Sequence, residues 1–129
     1  MKLICYNHSR NFGPYTIPIS IQSIYLKNYC NANNINFSLP VTEYCVEQNY
    51  FALIQSISSV KSHERNDINI LTSSAYIFEE AHIKTSVYKL LIENNIMINC
   101  VLENIKGDIQ MIQSSIYEMK IVNELSSSW

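Results

Sequence analysis

The chain has 129 residues, 47% of them hydrophobic, with nine Lys and Arg against eleven Asp and Glu for a formal charge of −2. That length suits one domain with a real core, and the charge balance excludes the basic footprint of a nucleic-acid binder or a polybasic membrane surface. The four cysteines (Cys5, Cys30, Cys45, Cys100) form no CxxC pair and have no His at metal-ligand spacing. Cys5 and Cys100 sit in apolar runs, which predicts buried, unpaired core residues and a reducing compartment.

Residues 2–6 read as a first strand, followed by a polar loop over 7–17. Pro18 suits the first turn of a helix, in which Ile17, Ile21, Ile24, Tyr25 and Tyr29 recur at helical spacing. The asparagines of 31–34 should end it. Residues 35–39 read as a second strand closed by Pro40. A second helix is expected from about Val46 to Lys61, with Tyr50, Leu53, Ile54, Ile57 and Val60 inward, and then an exposed turn over 62–67.

A third strand spans 68–72, ended by Ser73-Ser74. A third helix is expected from Glu79-Glu80, whose charges favour a helix N-terminus, with Ile83, Val87, Leu90 and Leu91 apolar. Residues 96–102 read as a fourth strand. A last helix from Asp108 carries Ile109, Ile112, Ile116 and Met119 on one face. Residues 126–129 read as a frayed tail after a single domain over 1–125.

Strands alternating with helices imply an α/β fold: a three-layer αβα sandwich with a mainly parallel, four-stranded sheet. Ligands in such folds bind at the carboxyl ends of the strands, where strand order reverses. After the first strand stand Ser9 and Arg10, which read as a nucleophile beside an anion clamp, as a phosphate-binding pair, or as a solvated loop. His8 adjoins Ser9 in sequence and so is a poor general base for it. After the second strand stand Thr42, Glu43 and Tyr44, which read as an acid/base carboxylate with a hydrogen-bonding phenol or as a helix cap in which Thr42 accepts a backbone N–H and Glu43 serves the helix dipole. Ser73 after the third strand reads as a polar-ligand contact or a strand-ending residue. Glu103 and Asn104 after the fourth read as an acid/base or ligand pair or as surface groups. Dinucleotide, P-loop and nucleophile-elbow motifs are absent, and no metal or cofactor is expected.

These residues carry a resemblance. Ser9-Arg10, Ile17-Pro18 with Gln22, Tyr29-Cys30, Thr42-Glu43-Tyr44, Asn49-Tyr50, Ser73, Tyr88-Lys89 with Glu93-Asn94, and Leu102-Glu103-Asn104 resemble the bacterial sporadic carbohydrate cluster family over about 3–108. The resemblance implies a cytoplasmic protein of surface-polysaccharide biosynthesis. It suggests an enzyme acting on a sugar phosphate or nucleotide sugar, with Ser9, Glu43 and Glu103 catalytic and Arg10, Tyr44, Ser73 and Asn104 binding substrate. The alternative is a non-catalytic binding or regulatory module for a glycan-pathway enzyme. The topology is also similar to flavodoxin-like folds and to the serine-recombinase catalytic domain, which places a nucleophilic Ser after its first strand. Here Asn7 stands where that pattern has Arg, and Ser73-Ser74-Ala75-Tyr76 stands where it has an Asp-Arg-Leu-type segment. A resolvase-like fold is therefore expected without strand exchange, with no nucleic-acid partner and no membrane insertion. Homo-oligomerisation is left open.

Overall fold

The computed structural model describes residues 2–44, 49–81 and 85–127. Its elements are β1 (Lys2–His8), α1 (Ile19–Ala32), β2 (Val41–Glu43), α2 (Phe51–Ser58), β3 (Ile68–Thr72), α3 (Thr85–Glu93), β4 (Met97–Cys100), β5 (Ile105–Gly107) and α4 (Ile109–Ser127). Short 3₁₀ segments at Ser62–Asp67 and Ala75–Phe78 precede and follow β3. Among the described residues no helix is long and apolar enough to cross a membrane.

The sheet order is β2-β1-β3-β4-β5. The first four strands pair in parallel, and β5 returns antiparallel to β4. The expected four-stranded sheet thus has five strands, because residues 105–107 fold back along β4. The second strand lies at Val41–Glu43 and not at 35–39. Pro40 has no N–H to give a ladder, so pairing starts after it. Ile35 and Phe37 instead pack as irregular chain against Cys5, Leu26, Cys30 and Leu71.

Alternation along the strands sorts the core. Leu3, Cys5 and Leu71 face α1, while Ile4, Tyr6, Ile68, Ile70 and Ile98 face α2, α3 and α4. α2 seals the larger core with Leu53 and Ile57, α3 with Val87 and Leu91, and α4 with Ile109, Ile112 and Ile116. α3 begins at Thr85, later than expected, because Ala75–Phe78 buries itself as a 3₁₀ turn before it. The second helix, expected from about Val46 to Lys61, is shorter, starting after Tyr50 and ending at Ser58; Val46 and Ile83 lie outside the described residues.

α1 turns a different face inward from the one its aliphatic spacing predicts. Its buried positions are Gln22, Leu26 and Cys30, whereas Ile21 and Ile24 are exposed. The cause is Gln22. Its side-chain oxygen accepts from the His8 N–H at 3.1 Å, and its amide donates to the His8 and Ile17 carbonyls at 2.8 Å each. A buried amide that satisfies the end of β1 outweighs two exposed isoleucines. Cys5, Cys30 and Cys100 are buried and free, as expected for Cys5 and Cys100. Burial pushes the Cys100 thiol well up, so it is inert at neutral pH. Cys45 lies outside the described residues.

Candidate functional site

Strand order reverses between β1 and β3. The chain leaves β1 for β2 on one side and returns to β3 on the other. One step beyond their last paired rung, Tyr6↔Thr72, stand Asn7 and Ser73. Both are wholly buried. Asn7 shares the α1 side of the sheet with Cys5, and its amide donates to Ser23 Oγ of α1 at 2.9 Å. Its Oδ1 has no partner, nor does Ser73 Oγ. Buried polar atoms left unpaired cost free energy, so each calls for an explanation. These two lie at the strand-order reversal, the position at which such sheets bind ligands.

Ser9 and Arg10 stand at the same strand end. Ser9 is exposed, and its N–H donates to the Glu43 carbonyl at 3.0 Å, tying the β1 loop to β2. Arg10 is half-buried. Its Nε donates to the Asn11 carbonyl at 3.3 Å, and its guanidinium pairs with neither Glu43 nor Glu103. A planar fork of donors thus follows the end of β1, held among the described residues by one backbone contact.

The two acidic candidates have other occupations. Glu43 is buried, and its oxygens accept from Tyr6 OH at 2.7 Å, Ala52 N–H at 2.8 Å and Leu53 N–H at 3.1 Å. Ala52 and Leu53 are in the first turn of α2, which has no side-chain cap from Tyr50. The capping expectation therefore belongs to Glu43 and not to Thr42, and a buried carboxylate also favours that helix end. Glu103 accepts from Ser74 Oγ at 2.6 Å and Ala75 N–H at 2.7 Å. Ser74 Oγ accepts in turn from Tyr76 N–H at 3.2 Å, so Glu103 clamps the β4 loop onto the turn after β3. Tyr44 is 79% exposed at the sheet edge. Asn104 is exposed with φ +55° and makes a tight turn back to Val101. The structure brings Ser9, Arg10 and Ser73 to the ends of the two central strands and directs Glu43 and Glu103 into backbone capping.

His8 points to the core side. Its Nε2 lies 3.2 Å from the Asn49 carbonyl, so the ring donates there, and Nδ1 is buried without a partner. Its ring meets Tyr6 and Tyr50 edge-on. Desolvation holds its pKa below the ordinary 6.5, against an opposing pull from the Asn49 hydrogen bond and Glu43. A histidine neutral in the fold takes up protons more readily when unfolded, so its contribution is complete above about pH 6.5 and is lost as pH falls below it. Urea denaturation at stepped pH should show an acid-side loss of up to about 1.4 kcal/mol per pH unit from this group. That part of the slope should vanish in His8→Asn. An unchanged slope in the variant would contradict the burial of a neutral ring.

Asn7 and Gln22 were not among the residues that sequence reasoning marked for the site. Asn7 opens the marked loop without being assigned a role, and Gln22 appears only within the family-like spacing after Ile17-Pro18. Among the described residues no cluster of three or more His, Cys, Asp or Glu is placed to hold a metal ion. Comparison with protein-family models, with curated proteins and with solved structures finds no match to this chain.

Proposed function

We propose that this chain is a binding or regulatory module of bacterial surface-polysaccharide synthesis that holds a phosphorylated or nucleotide-activated sugar at the carboxyl edge of its sheet. One observation carries the reading. Asn7 Oδ1 and Ser73 Oγ are buried and unpartnered at the strand-order reversal, and Arg10, three residues after Asn7, pairs with no carboxylate among the described residues. Arg10 suits phosphate oxygens, Ser73 can donate to a ligand oxygen, and Asn7 can accept from a hydroxyl.

The module reading is favoured over acid/base catalysis because the oxygens of Glu43 and Glu103 are held by their own backbone. The exposed apolar positions Tyr117, Ile121, Val122 and Leu125 on α4 supply the second feature of a module, a surface for a protein partner or another copy. The enzyme reading draws on Ser9, exposed beside Arg10 at the ligand edge, as nucleophile. His8 does not serve it as base, since the ring is turned into the core.

The finer fold expectation, a three-layer sandwich of flavodoxin or resolvase kind, draws support from the order β2-β1-β3-β4 and from α1 covering one face alone. A charge of −2 supports a role without nucleic acid, and the free Cys5, Cys30 and Cys100 suit a reducing cytoplasm.

The test is a thermal-shift titration with sugar 1-phosphates and nucleotide sugars. A ligand of the folded state raises Tm by mass action. Arg10→Ala should weaken binding by about 1.5–3 kcal/mol, the range for hydrogen bonds to charged groups, with apo Tm unchanged. A lowered apo Tm with affinity intact would make Arg10 structural and remove the anion site. Product formation that is lost in Ser9→Ala would move the assignment to the enzyme.

A further inference from the structure

A cavity opens at the carboxyl edge of the sheet, with a volume of about 690 Å³. It lies between the loop after β1, the turn after β3, the start of β5 and the last turns of α4. None of the residues discussed above as ligand contacts lines it. We propose that it binds the uncharged, polyhydroxylated ring of a sugar. The inference rests on the reading above that the chain binds an activated sugar, and it locates the sugar moiety apart from the phosphate.

The cavity is two-sided. Tyr15 and Ile105, backed by the buried Tyr76, offer an aromatic and apolar surface, and Ser115, Glu118 and Asn123 on α4 offer a hydroxyl, a carboxylate and an amide. The tyrosine rings meet edge to face, 6.1 Å between centroids and 73° between planes. A pyranose has the matching shape, with C–H faces that lie on aromatic rings and a rim of hydroxyls that give and take hydrogen bonds. The volume falls within the few hundred to about 1,000 Å³ typical of small-molecule sites.

The charges select against an anion here. Burial, then Glu103, raises the pKa of both Tyr15 and Tyr76, so both phenols remain protonated donors. Glu118 lines the cavity, Glu79 and Glu103 act on Tyr76, and the adjacent Lys120 is engaged by Glu79. The surroundings are net negative, which suits a neutral ring and leaves a phosphate to Arg10.

The wall is built for a fixed shape. Gly13 has φ +56°, and a Cβ there would run into the Tyr76 ring. The β1 loop therefore seats directly on Tyr76, and Glu103 fixes the same turn from below through Ser74.

Saturation-transfer NMR separates the two sites with defined probes: the methyl glycosides of glucose, galactose and mannose, N-acetylglucosamine, uridine and inorganic phosphate. At least one glycoside should bind the wild type. Val122→Trp, at a 59% exposed position on the rim, should weaken it by roughly tenfold or more, about 1.4 kcal/mol. Glu118→Ala should weaken the same probe, and both variants should keep the wild-type circular dichroism and phosphate affinity. No glycoside binding, glycoside affinity unchanged in both variants, or uridine binding in place of every glycoside would overturn the proposal. Failure of phosphate to bind the wild type would remove the anion site while glycoside binding sensitive to Val122→Trp upheld the cavity.

Discussion

Glu43→Ala should destabilise the fold by about 3–5 kcal/mol, since it strands three donors and each buried unsatisfied group costs about 1–3 kcal/mol. Those donors are Tyr6 OH and the N–H groups of Ala52 and Leu53. Water can reach part of the opened helix end, which keeps the total below the largest sum. The loss is a large share of the 5–15 kcal/mol typical of a domain. Glu43→Gln keeps one carbonyl oxygen but turns an NH₂ toward donors, so its cost should fall between wild type and alanine. Urea denaturation followed by circular dichroism reads both. An acid/base role predicts the opposite pattern, with stability kept and turnover lost, and that pattern would refute the capping assignment.

Glu103→Ala should cost about 2–4 kcal/mol, less than Glu43→Ala because it removes two hydrogen bonds from a half-buried site. It should also act on ligands it does not touch. Without the carboxylate, Ser74 and Ala75 lose their anchor, and the turn carrying Ser73 and Tyr76 loosens. Affinity for a sugar 1-phosphate should therefore fall along with Tm, and Glu103→Gln, which retains one acceptor, should recover part of both. A variant with wild-type stability and abolished affinity would instead make Glu103 a direct ligand contact.

Patterning made the larger fold legible because 2–6, 68–72 and 96–102 are mostly apolar runs between polar breaks, although the last ends as a strand at Cys100, where the chain turns toward β5. α2 and α4 likewise bury the faces their spacing indicates. Other elements answer to contacts that are distant in sequence. β5 is three residues long, too short for a periodic signal. The face of α1 follows from Gln22 reaching back to β1, which a hydrophobic count scores against burial. The two carboxylates were visible at the sheet edge as acids. Their partners lie 9 and 28 residues away, beyond the three-residue spacing of a capping box, so the sequence offered a helix-end role for Glu43 only as one of two readings and gave no sign of the Glu103 clamp. Asn7 carried no signal beyond its place at the start of the candidate loop and its standing where the recombinase pattern has Arg.

Ser73→Ala tests the central claim most directly, because it removes one hydroxyl that is wholly buried and has no partner within the protein. If that hydroxyl serves a ligand, its removal should leave apo stability unchanged or raise it, since an unpaired buried polar atom is a cost. Binding of a sugar 1-phosphate should meanwhile weaken by about 1–3 kcal/mol. Paired denaturation and titration calorimetry on one preparation give both numbers. A less stable apo protein with undiminished affinity would contradict a ligand site at the ends of β1 and β3.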